Sequence, residues 1–117
     1  MCLEIEASTQ LNYFSDQAHV VVLYVYPLSS GRSFAALSPR ELIAGKAVSE
    51  LTEDRRTLEV EPGQQLELGD PLPRDTAELG LVADFYVGAR KAMVRAECGF
   101  FGGERIVLTA NDIQVDP

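Results

Sequence analysis

Apolar and polar residues alternate from Leu3 to Leu11, the period of a strand with one packed face and one wet face. Leu3, Ile5, Ala7 and Leu11 fall on the packed side, and Glu4, Glu6, Ser8 and Gln10 on the wet side. The alternation breaks at Asn12-Tyr13-Phe14-Ser15-Asp16-Gln17, a run rich in turn-forming residues. Val20–Tyr26 is then β-branched, aliphatic or aromatic at every position, which predicts a central strand that stops at Pro27.

Ser38-Pro39-Arg40-Glu41 is a helix start: serine suits the N-cap, proline the first helical position, and Glu41 can close a capping box. Leu37 and Leu42 have the spacing of a hydrophobic staple, and Gly45 suits the C-terminal stop. The pattern predicts one short helix of about two turns.

Strand character returns afterwards. Arg55–Glu61 and Gln65–Leu68 flank a Pro62-Gly63 turn, and Leu79–Val87 forms a second apolar run. Ala92–Cys98 and Arg105–Leu108 flank Gly99-Phe100-Phe101-Gly102-Gly103, read as a hairpin turn, and Ile113–Val115 ends the last sheet. Short strands at this spacing predict an all-β fold, a two-sheet β-sandwich with one short helix. There is no internal repeat or linker, so residues 1–117 form a single β-sandwich domain.

Composition narrows the function. Hydrophobic residues make up 46% and charged residues 24%, ordinary for a globular chain. With 18 Asp+Glu against 10 Lys+Arg the net charge is −8, which disfavours phosphate backbones. No nucleic-acid partner is expected. Cys2 and Cys98 permit one disulfide without demanding it; free thiols are the expectation, with Cys2 on the strand face away from the core.

Catalytic and metal chemistry find little support. His19, the one histidine, sits where a loop enters an apolar strand, with no nucleophile elbow in the sequence. Glu4 and Glu6 share a strand face that reads as solvated, not as a catalytic carboxylate pair. Glu50, Glu53 and Asp54 lack the residue order of a calcium loop. Gly99–Gly103 lacks the Gly-Lys-Ser/Thr ending of a phosphate loop, although Phe100 or Phe101, if exposed, would be a contact residue. The expectation is a chain that is not an enzyme and carries no metal or cofactor. It would work by holding another protein.

Taken in order, these segments resemble the TssJ-type outer-membrane lipoproteins of bacterial type VI secretion systems. The similarity covers Ala7-Ser8-Thr9-Gln10-Leu11-Asn12, then Val20–Leu28, Ser33-Phe34, the short helix, and Leu58-Glu59-Val60-Glu61-Pro62-Gly63. Leu79-Gly80-Leu81-Val82-Ala83-Asp84-Phe85-Tyr86 resembles the family's Leu-Gly-Val-Val-Ala-x-Phe strand, and Asn111-Asp112-Ile113 its closing segment. Where the family often has tryptophan followed by arginine, this chain has Ala92-Met93-Val94-Arg95 and no tryptophan.

The resemblance implies a transthyretin-like sandwich on the periplasmic face of the outer membrane, anchored by an N-terminal lipid. Cys2 adjoins the first strand, whereas the family has a tether before the fold, so the anchor is expected upstream. The implied task is tethering the periplasmic domain of TssM, the inner-membrane partner. The loop between the first two strands is a main contact in the family, and here it is Asn12 to Ala18. Asn12, Tyr13, Phe14, Ser15, Asp16 and Gln17 are thus the implied partner-binding residues. Tyr13 and Phe14 are the anchors, because interface cores favour aromatic side chains. The alternative reading is a periplasmic or extracytoplasmic sandwich that binds another protein or a small ligand.

Overall fold

The structure, a computed structural model, describes residues 3–28, 32–45, 55–68, 76, 78–86, 91–97 and 105–116. Eight strands run β1 (Leu3–Ala7), β2 (Val21–Leu28), β3 (Arg56–Val60), β4 (Gln65–Leu68), β5 (Glu78–Asp84), β6 (Met93–Glu97), β7 (Arg105–Leu108) and β8 (Ile113–Asp116). Two helical segments, α1 (Arg32–Ala35) and α2 (Pro39–Ile43), lie between β2 and β3. The strands form a front sheet in the order β4-β1-β7-β8 and a back sheet in the order β3-β2-β5-β6. Among the described residues every strand ladder is antiparallel except β1 with β7, which is parallel. The all-β two-sheet sandwich is therefore observed, with a four-residue helical turn added ahead of the expected helix.

Leu3, Ile5 and Ala7 alternate into the core as the pattern predicts, but β1 ends at Ala7. Ser8 turns the chain: its carbonyl accepts from both Leu11 N–H and Gly63 N–H at 3.1 Å. Leu11 is nonetheless fully buried, so its apolar position holds while its strand assignment does not. β2 likewise differs at its end, because it continues through Pro27 to Leu28. β3 pairs with β2 only as far as Val25, so the missing N–H of Pro27 removes nothing from that ladder.

β2 is apolar on both faces because both are covered. Val21, Leu23 and Val25 enter the core between the sheets, with Ile5, Leu81 and Ile106. Tyr26 and Leu28 face the opposite way, into a second cluster with Val82, Phe34 of α1 and Leu42 of α2. The Phe34 ring lies on the bare backbone of Gly80, where an added Cβ would meet its carbons at 2.6–2.8 Å. Burying such a ring stabilises the fold by about 1.5–3 kcal/mol.

Helix α2 forms as its sequence predicts. Ser38 Oγ accepts from Glu41 N–H, Ser38 N–H donates to Glu41 Oε1, and Gly45 follows the C-cap at φ 77°. Arg55 completes the C-terminus from outside, donating to the Leu42 and Ile43 carbonyls at 3.2 and 3.3 Å while lying over the Tyr24 ring.

Pro62-Gly63 is a type II turn: Gly63 takes φ 77° and Gln64 N–H reaches the Glu61 carbonyl at 3.1 Å. It carries the chain from β3 in the back sheet to β4 in the front sheet. β6 and β7 also stand in different sheets and form no hairpin, a correction to the sequence reading. The Phe100-Phe101 segment, Cys2, Cys98 and the acidic residues Glu50, Glu53 and Asp54 lie outside the described residues. The neighbours of β1 are β4 and β7, not β6.

Candidate interaction surface

The β1–β2 connection closes one end of the sandwich. Its path is fixed by Leu11, buried beneath it, and by Asn12, which is 6% exposed and has φ 47°. Asparagine accepts this left-handed backbone more readily than most residues. Its amide Nδ2 donates to the Val20 carbonyl at 2.9 Å, and its Oδ1 accepts from Tyr86 N–H at 2.9 Å. Its own backbone N–H donates to the Thr109 carbonyl at 3.3 Å, and the next residue, Tyr13, donates to Ala110 at 3.0 Å. One side chain and two peptide groups thereby tie the β1–β2, β5–β6 and β7–β8 connections together.

Beyond Asn12 the chain makes a narrow hairpin. Phe14 and Gln17 exchange backbone hydrogen bonds of 3.0 and 3.1 Å across Ser15 and Asp16, whose φ values are 51° and 63°. Two consecutive left-handed residues make a type I′ turn. The hairpin holds the Phe14 ring against His19, with centroids 3.6 Å apart and planes 7° off parallel. Tyr86 stacks on Phe14 as well, at 4.1 Å and 22°. His19 Nδ1 lies 3.3 Å from the Asn12 carbonyl and donates to it in the tautomer protonated there.

The large apolar side chains most open to water among the described residues meet at this end: Tyr86 (74% exposed), Val20 (46%) and Tyr13 (40%). Ser15, Asp16 and Gln17 are exposed beside them, and Phe14 is half-buried in the ring column. The six residues singled out by sequence are thus brought together, with Asn12 turned inward as their support. Tyr86, Val20 and the stacked face of His19 were missed. Reading Leu79–Val87 as one strand concealed that β5 ends at Asp84, leaving Phe85 buried and Tyr86 outside.

The residues weighed for catalysis are otherwise engaged. Glu4 and Glu6 each approach Arg105 at 3.6 Å on the outer face of the front sheet, where Asp116 approaches it at 3.8 Å. Among the described residues His19 stacks on the Phe14 ring and makes no hydrogen bond to a serine, threonine or cysteine side chain. No three His, Cys, Asp or Glu side chains converge to hold a metal among the described residues, and no helix there is long and apolar enough to cross a membrane.

Fold and site define a β-sandwich with an exposed aromatic corner cross-tied by hydrogen bonds. Residues 1–96 match the family model described as "Type VI secretion lipoprotein, VasD, EvfM, TssJ, VC_A0113", and the chain belongs to that family of structural secretion components. No curated protein sequence matches it. Solved structures share its fold at low identity. A chain of the structure described as "Type VI membrane complex" has TM-score 0.84 and 21% identity, over 100% of this chain and 97% of that one. A chain of "T6SS protein TssM C-terminal domain (869-1107) from EAEC" has TM-score 0.82 and 19% identity, with the same coverage of 100% and 97%. The lipoprotein TssJ1 from Pseudomonas aeruginosa has TM-score 0.77 and 20% identity, over 97% of this chain and 91% of its own.

Proposed function

We propose that the chain is a tether of a type VI secretion system, held by an N-terminal lipid at the periplasmic face of the outer membrane and binding the periplasmic domain of a TssM-like inner-membrane protein. The aromatic corner is the observation that carries this reading: Tyr13 and Val20 of the β1–β2 loop and Tyr86 of the β5–β6 connection are exposed together where Asn12 ties these connections to each other. A rigid apolar patch rimmed by polar residues has the composition of an interface core. The matched chains from a structure of a TssM domain and from a type VI membrane complex support the same partner. Binding, not turnover, is the activity the geometry supports.

Calorimetric titration with the cognate TssM periplasmic domain tests it. Replacing Tyr13 and Phe14 by alanine together should weaken binding by ~2 kcal/mol or more. Because Phe14 also supports the column, Tyr13→Ala alone serves as the surface variant, and its thermal unfolding should match the parent. Unchanged affinity in both variants would remove the Asn12–Ala18 loop from the interface.

A further inference from the structure

β6 is an outer strand of the back sheet. Ala83 N–H donates to the Ala92 carbonyl at 2.8 Å, whereas the Lys91 carbonyl turns away from β5 and accepts from Ile113 N–H at 3.0 Å. Peptide groups alternate in direction along a strand. Those of Val94 and Ala96 therefore face β5, and those of Met93, Arg95 and Glu97 point out of the sheet. Among the described residues, the one backbone partner on that outer side is Ile113, at Lys91. A groove of about 530 Å³ runs along the strand, lined by Phe34 and Ala35 of α1 and by Val115 of β8. A row of unpaired N–H and C=O groups beside open space is matched by one kind of occupant, an extended backbone.

The side chains select whose backbone fits. Arg95 and Glu97 share the face of β6 turned away from the core, while Val94 and Ala96 face inward. Arg95 approaches Glu78 of β5 at 3.7 Å yet stays half-exposed, and Glu97 is exposed. Opposite charges thus stand two residues apart, and an antiparallel copy of the same strand is their complement. With Ala96 set opposite Ala96 of a second copy, each Arg95 faces the other copy's Glu97, and their outward peptide groups meet. The closest approach of side chains falls at the non-hydrogen-bonded pair, which here is alanine against alanine. Charge balance favours the same contact. The chain carries a net charge of −8, but this groove sets Glu78 and Glu97 against Lys91 and Arg95. We propose that β6 is a self-pairing edge, through which two copies join antiparallel about a two-fold axis and merge their back sheets into one. This stands apart from the tether reading, since neither the β1–β2 loop nor Tyr86 enters it.

Sedimentation velocity of the whole chain, without any partner, tests it. The parent should pass from monomer to dimer as its concentration rises, and a chain that stays monomeric up to about 1 mM would overturn the proposal. Arg95→Glu and Glu97→Arg each set like charges opposite one another on both sides of the axis, and each should weaken the dimer about tenfold. Mixed together, these two variants are complementary at every pair, and they should form a heterodimer within about threefold of the parent's affinity. Undiminished dimers of both single variants would refute the pairing, and so would loss in each without recovery in the mixture. Arg95→Pro probes the backbone. The N–H it removes points out of the sheet, so the β5 ladder is kept and thermal unfolding should stay close to that of the parent monomer, while the dimer is lost. A dimer that survives the proline would refute the proposal, and if the proline variant fails to fold, the charge mixture decides alone.

Discussion

Gly80 shows how one missing side chain shapes the back of the molecule. The Phe34 ring occupies the space that a Cβ at this position would need, so the ring can seal the second apolar cluster only over glycine. Gly80→Ala should destabilise the fold by about 1–3 kcal/mol, as overpacking does, measured by chemical denaturation. In a Phe34→Leu background the same change should be less damaging, because the two positions couple through one contact. Neither partner was legible alone: the sequence shows a glycine within an apolar strand and a phenylalanine ahead of a helix. Asn12 makes the same point. Its place in a polar loop reads as surface, whereas its amide reaches Tyr86, 74 positions away, and only the folded chain brings them together.

Elements whose signals are local were readable, and those set by their neighbours were not. The capping box, staple and C-terminal glycine of α2 stand within eight or nine residues, and the helix forms where they place it. The end of β2 depends instead on where β3 stops, which no property of Pro27 reveals. The β1–β2 hairpin is a third case: its I′ turn falls on Ser15-Asp16, not on the Asn-Gly that such turns favour. Two non-glycine residues with positive φ store strain, and relieving it is a test of the turn. Ser15→Asn with Asp16→Gly should stabilise the chain by about 1 kcal/mol and raise Tm by several degrees. An unchanged or lowered Tm in a scanning calorimeter would mean that the turn is not strained as its backbone angles imply.

At the scale of the whole molecule, the proposed interaction surface lies where three connections converge, and Asn12 cross-links that convergence. The hydrophobic pattern foretold two sheets and a core between them, because inward positions repeat every second residue along the strands. It could not foretell which corners would meet, since connections carry no such period. The cross-ties predict behaviour unusual for a loop. The Tyr13, Phe14, Gln17, His19 and Tyr86 amides all donate to protein acceptors, at 2.9–3.1 Å. They should therefore exchange with solvent slowly, closer to strand amides than to a free loop. Asn12→Ala removes the acceptor for Tyr86 N–H and the donor for the Val20 carbonyl, and keeps a side chain at φ 47°. Exchange at Tyr86 and Tyr13 should then accelerate by about tenfold or more, the loss of one to two hydrogen bonds' worth of local protection. Amides of β3, on the far edge of the back sheet, should change only as far as global stability changes. Uniform acceleration across all strands would instead mean that Asn12 supports the fold as a whole, and that the corner has no rigidity of its own.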